Sequence, residues 1–136
     1  MVLKFDNLQI GDFIVFPFRS LWKDVLTFRD LLGDSNPIHW DIQYASRLSI
    51  GKPIQHGAAL VSAVCGQIGS TLPGEGALIV SISVEFPNPL YVGDEAEITL
   101  KVTNKSEATR TLALSVTGES GNGQVIRGNI VVKSLV

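Results

Sequence analysis

Only one cysteine, Cys65, and only two histidines, His39 and His56, stand among the 136 residues. A lone thiol excludes an internal disulfide framework and suits a reducing compartment, so a cytoplasmic location is expected. Basic residues are few and scattered: eleven Lys and Arg against thirteen Asp and Glu give a net charge of −2. That balance excludes the basic stripe of a nucleic-acid binder. Long apolar runs are missing too. The most apolar window, AALVSAVC, is far too short to cross a bilayer, and MVLKFDNLQIGD carries no apolar h-region, so neither a membrane partner nor a secretory leader is expected. No repeat or low-complexity linker divides the chain, which predicts one domain over residues 1–136. A metal centre would have to come from Asp34, His39, Asp41 and His56, whose spacing matches no ligand pattern, so none is expected.

What is present is a globular composition, 45% hydrophobic. FIVFPF (13–18) predicts a first strand, with Pro17 restricting it to an edge or an end. Leu21, Val25, Phe28 and Leu32 then recur at helical spacing, with Ser20 as a candidate N-cap and Gly33 as the C-cap glycine. GDSNPIHWD (33–41) leaves that helix as a loop, stiffened by Pro37, and Asp41 can cap a short helix in IQYASRL. HGAALVSAVCGQIGSTL (56–72) is small and apolar round its circumference and predicts a helix over 57–72, buried on most faces. From Ala77 the period changes to two. Four β-rich runs follow, with Ile98, Leu100 and Val102 on one face of their strand, Leu112, Leu114 and Val116 on one face of theirs, and a hairpin at GNG (121–123). The expectation is a meander of four antiparallel strands covered by the long helix, an α+β architecture.

The loop concentrates the chemistry-bearing residue types. By itself, an Asp-x-Asn-Pro loop after a helix also serves as turn chemistry. His39 also reads as a histidine satisfied by one hydrogen bond, and Gly57 as a packing glycine. His56 is read as structural, shaping the turn into the long helix.

Three blocks, in order, carry a resemblance. GDSNPIHWD is similar to G-D-x-N-P-x-H-x-D, KPIQHG (52–57) to R-P-I-x-H-G, and LPGEGALIVSISVEFPNPLYVGD to an L-P-G-x-G…F-x-x-P…G-D segment. Together they resemble the MaoC-like dehydratases, the (R)-specific enoyl-CoA hydratase branch of the hotdog fold. The resemblance implies an antiparallel sheet wrapped around a long central helix, a homodimer, and no metal or redox cofactor. It implies an acyl-CoA or acyl-carrier-protein thioester as substrate. Position by position, it makes Asp34 the base that takes a proton from water and His39 its partner, orienting the water and delivering a proton to C2. Gly57 would present its backbone N–H to the thioester oxygen, and Asn36 would brace the loop. Ser62, Cys65 and Ile68 are the substrate-side candidates on the long helix. Cys65 departs from the small hydroxyl residue that such hydratases carry near that position, while Ser62 lies about one turn earlier. Hydration needs a base, an acid and a held enolate oxygen, which is why these residue types are wanted.

Rival readings differ in what they require. GDS (33–35) is similar to a serine-esterase motif, but no histidine follows His56 and no Gly-x-Ser-x-Gly elbow exists. A hotdog thioesterase would share fold and ligand and aim its water at the carbonyl carbon. A non-catalytic acyl-thioester-binding protein would be marked by loss of Asp34 or His39, and both are present. Arg47, Lys52, Lys101 and Arg110 are cations available to coenzyme A phosphates, with none assigned.

Overall fold

The computed structural model describes residues 4–136. After a 3-10 turn at Phe5–Asn7 come β1 (Phe13–Arg19), α1 (Trp22–Leu32), α2 (Ile42–Ser46), α3 (Gly57–Ser70) and β2 (Ala77–Glu85). The chain then finishes with β3 (Glu95–Ser106), β4 (Thr111–Ser120) and β5 (Gly123–Ser134). All five strands form one antiparallel sheet in the order β1-β3-β4-β5-β2. The alternation read from the sequence is realised: Ile98, Leu100, Val102, Leu112, Leu114 and Val116 all face the core, none more than 1% exposed. Against that face packs α3, through Leu60, Val64 and Ile68. This is the α+β hotdog arrangement.

Three expectations need correction. The late strands are not a meander of four. Only β3, β4 and β5 are consecutive neighbours, and β2 crosses to pair with β5, because residues 86–94 form a long connection rather than a hairpin. Pro17 is accommodated because β1 is the opposite edge, paired with β3 alone. Secondly, α3 is not buried on most faces. The sheet covers one side, and Ala58, Ser62, Gly66 and Gly69 leave an exposed stripe of small residues along the other. Thirdly, Ser20 does not cap α1. Leu21 is the N-cap residue, and its N–H donates to Asp24 Oδ2 at 3.1 Å. Ser20 is fully buried, and its hydroxyl donates to Gln55 Oε1 at 2.6 Å.

Other local readings hold. Gly33 ends α1 in the left-handed region at φ 68°, and Asp41 Oδ1 accepts from the Tyr44 N–H at 2.9 Å at the start of α2. The hairpin between β4 and β5 pairs Ser120 with Gly123.

Candidate active site

Two segments build the site. The first is the loop between α1 and α2. Asp34 Oδ1 accepts from the Asn36 N–H at 3.1 Å, and Asn36 Oδ1 accepts from the Ile38 N–H at 3.3 Å. These successive side-chain-to-backbone bonds curl the chain around Pro37 and hold Asp34 with its other oxygen, Oδ2, turned inward. The Trp40 indole closes the loop from outside by donating to Ser35 O at 3.1 Å. The second segment leads into α3. Ile54 N–H donates to Ile38 O at 3.2 Å, and Gln55 N–H donates to Leu90 O at 2.7 Å. Residues 54–55 are thus stitched between the loop and the long connection that precedes β3. His56 follows directly as the N-cap residue of α3.

Both histidines converge on Asp34. His39 Nε2 lies 3.6 Å from Asp34 Oδ2 and His56 Nε2 lies 3.7 Å from the same oxygen. The two imidazoles stack, with ring centroids 3.7 Å apart and planes inclined by 23°. His39 Nδ1 is 2.8 Å from Ile54 O. A carbonyl can only accept, so Nδ1 carries a proton and Nε2 is the nitrogen free to exchange one. His56 is 2% exposed, and neither of its ring nitrogens has a partner among the described residues. Burial is the main cause that holds its pKa below the ordinary imidazole value. The neighbouring His39 acts in the same direction, and Asp34 opposes them. His56 therefore takes up a proton less readily than an ordinary imidazole, and Asp34, with 40% of its side chain exposed, is the member that meets solvent.

A cleft of about 330 Å³ opens beside this cluster, lined by His39, Gly57, Ile54, Leu60, Phe86 and Leu90 among others. Gly57 is the first residue of α3, so its N–H stands among the unpaired donors at the positive end of the helix. A Cβ at this position would meet the Phe86 ring at 3.0–3.2 Å, so the glycine also lets that ring close against the helix. A larger cleft, about 530 Å³, lies at the far end of α3 beside Phe5, Arg110 and Val136. It holds neither histidine, so its size says nothing about the chemistry.

The structure thus gathers Asp34, His39, Asn36 and Gly57 in one place, and does not bring Ser62, Cys65 and Ile68 to the cleft. Ser62 is exposed and its hydroxyl donates to Ala58 O at 2.8 Å. Cys65 is half-buried, and burial pushes its thiol pKa up. Ile68 is fully buried in the core. Two participants escaped sequence reasoning. The Ile54 carbonyl that sets the His39 tautomer has no side-chain signature. His56 had one, its place beside Gly57 at the start of α3, but its approach to Asp34 is a tertiary fact.

With this geometry in view, likeness to known proteins becomes interpretable. A family model described as MaoC like domain matches residues 18–122, which contain Asp34, His39, His56 and Gly57. The chain belongs to this family. It is 34% identical over 135 residues to a 3-hydroxybutyryl-CoA dehydratase of Methylorubrum extorquens, covering 97% of this chain and 84% of that protein. It is 37% identical over 125 residues to an (R)-specific enoyl-CoA hydratase of Aeromonas caviae, covering 84% of this chain and 93% of that protein. The solved structure of the (R)-hydratase from A. caviae superposes with a TM-score of 0.90 at 31% identity, over 93% of this chain and 97% of that one. This MaoC-like chain therefore shares both its fold and most of its length with hydratases and dehydratases of acyl thioesters.

Proposed function

We propose that this MaoC-like protein is an (R)-specific enoyl-thioester hydratase, adding water to trans-2-enoyl thioesters of coenzyme A or acyl carrier protein and, in reverse, dehydrating (R)-3-hydroxyacyl thioesters. The observation that carries the reading is the pair formed by Asp34 Oδ2 and His39 Nε2, 3.6 Å apart and adjoining an apolar cleft. That separation lets one water beside the pair bond to both groups at once. In the hydration direction Asp34 takes a proton from water as the oxygen bonds to C3. The electron pair of the double bond moves through C2 to the thioester oxygen, where the Gly57 N–H receives the growing charge. His39, protonated at Nε2, then gives that proton to C2. A proton relayed from Asp34 to His39 through a bridging water restores the pair, since their 3.6 Å separation exceeds direct hydrogen-bond reach. The Ile54 carbonyl keeps Nδ1 occupied throughout, which commits the chemistry to Nε2. Because base and acid stand on one side of the alkene, addition is syn.

The working unit in this reading is a homodimer, and the cell compartment is the cytoplasm, where a lone half-buried thiol stays reduced. Support for the dimer comes from β2. It is a sheet edge, and it exposes Leu78, Val80 and Ile82 by 49%, 57% and 38%.

Incubation with crotonyl-CoA tests the function. The expected result is loss of enoyl absorbance, no free coenzyme A and a single 3-hydroxybutyryl product of (R) configuration. Thiol release at the same rate would transfer Asp34 to a thioesterase mechanism. An (S) product would place the pair over the other face and remove the assignment. Saturable binding without turnover would leave an acyl-thioester-binding protein.

A further inference from the structure

We propose that Arg47 and Lys52, beside the cleft that adjoins Asp34 and His39, form an anion site that receives the phosphates of a coenzyme A thioester. The assignment rests on the hydratase reading and names the carrier that this site accepts.

Electrostatics state the need. Coenzyme A is a polyanion, and the chain itself has a net charge of −2. The molecule as a whole does not draw such a ligand in, so the attraction has to come from cations placed locally. Arg29, Lys105, Arg110 and Arg127 are each committed to a carboxylate at 2.7–3.2 Å, those of Asp30, Glu107, Asp6 and Glu85. Arg47 and Lys52 have no such partner among the described residues. Lys101 has none either, but it sits on β3 opposite Phe13, and neither β1 nor β3 contributes a residue to the cleft.

The segment between α2 and α3 places the two free cations. Arg47 is the C-cap residue of α2, and the next turns are held by Leu48 N–H on Ala45 O and Gly51 N–H on Leu48 O. They lead to Ile50, which lines the cleft together with Ile54 and His39. Lys52 falls between Ile50 and Ile54. The facing wall includes Leu90, and it is joined to this segment by the Ile54–Tyr91 bridge and by Val92 N–H on Pro53 O at 3.1 Å.

Both cations are also held in advance. Lys52 Nζ lies over the Tyr91 ring, 4.6 Å from its centroid, and the Tyr91 hydroxyl donates to Ile50 O at 3.0 Å. The ring thereby ties the ammonium to the backbone of a residue that lines the cleft. The Arg47 guanidinium lies over the Tyr44 ring at 5.9 Å. An aromatic face restrains a cation without neutralising it, so the charge stays available to phosphate at a lower ordering cost. Arginine supplies a planar fork of donors and lysine a compact point charge, two complementary ways to hold phosphate oxygens. A long pantetheine arm separates the phosphates of coenzyme A from the thioester. Their site therefore belongs outside the cleft, where both side chains are exposed.

The test compares two thioesters with the same reacting end, crotonyl-CoA and crotonyl-pantetheine, which stops before the phosphates. The parent protein should show a lower KM for crotonyl-CoA. Arg47→Gln and Lys52→Gln should each raise that KM about two- to fivefold with kcat unchanged, the scale of an exposed charge pair. The double variant should raise it by about tenfold, and added salt should raise the KM of the parent more than that of the double variant. With crotonyl-pantetheine, which offers these cations nothing to hold, KM should not rise. An unchanged KM for crotonyl-CoA in the double variant would overturn the site. So would an equal rise with both thioesters, which would mark a disturbed cleft instead of a lost phosphate contact. If neither thioester is hydrated, the hydratase reading falls, and calorimetry with coenzyme A alone decides the anion site. Binding that weakens by about tenfold in the double variant would uphold it, and absent or unchanged binding would remove it.

Discussion

Between Asp34 and His39 the chain makes two side-chain-to-backbone turns, and their effect is to aim Oδ2 and Nε2 at one point. Asp34→Asn keeps that shape and removes the base, while His39→Ala removes the acid. Each should lower hydration of crotonyl-CoA by at least roughly 100-fold, the scale of general acid–base catalysis. Because the two groups act on one water, the double variant should be little worse than the weaker single variant, and near-normal turnover by folded Asp34→Asn would defeat the assignment. His56 contributes at the same scale through its charge. Its folded pKa lies below the ordinary imidazole value, so the unfolded chain binds the proton more readily. The stability this confers is complete above about pH 6.5 and is lost as pH falls through the lowered folded value. Urea midpoints measured at about pH 7.5 and about pH 5.5 should therefore differ less for His56→Gln than for the parent chain. Equal pH dependence in both would show that His56 does not titrate between the folded and unfolded states. Asp34 and His39 were legible in the sequence because a short, Pro-stiffened spacing makes their meeting a local matter. The His56 stack was not. It depends on residues 54–55 bonding to Ile38 and Leu90, which are distant in sequence.

Elements carry the second half of the site, and α3 shows how. His56, the N-cap residue, has φ −61° and ψ 134°, the extended geometry that a following proline tolerates. Proline is also acceptable at the first helical position. Gly57→Pro therefore deletes the N–H while keeping the helix start, and Gly57→Ala adds the same Cβ but keeps the N–H. Both press on the Phe86 ring, whose 47% exposure gives it room to move. The difference between the two variants isolates the hydrogen-bond donor. Gly57→Ala should retain most activity, and Gly57→Pro should fall below it by about 10²–10³ in kcat, the usual effect of one oxyanion donor. Equal activities would leave Gly57 as a packing residue. At this scale the sequence was readable wherever a local rule decided, as in the period-two strands, the Gly33 stop and the Asp41 cap. Ser20 shows the limit. A serine before a helix competes for local capping, but here burial beside Gln55 won, from a partner 35 residues away.

For the whole molecule, the decisive features are the two surfaces that the sheet order leaves open. Strand periodicity could not reveal that β2 pairs with β5, since the crossing of residues 86–94 is a matter of topology. That crossing makes β2 an edge, opposite β1, and composition alone could not show that α3 would be covered on one side only. A long edge with exposed Leu78, Val80 and Ile82 is an invitation to pair with another strand, and natural sheets usually blunt such edges with charge or proline. Along β2 the only charged residue is Glu85, at its end, and there is no proline. A twofold partner would cover this edge in a self-complementary way, extending one sheet into the next. We therefore expect sedimentation of the native protein to give a dimer. Val80→Lys, on the most exposed of the three side chains, should shift it toward monomer without unfolding the sheet, since that side chain makes no core contact in the described structure. The same variant reports whether the site needs its neighbour. A folded monomer with full hydratase activity would show that each chain carries a complete site. A folded monomer with lowered activity, in which Asp34, His39 and Gly57 are unchanged, would show that the dimer holds the cleft in its working shape. A native protein that sediments as a monomer would remove the dimer altogether.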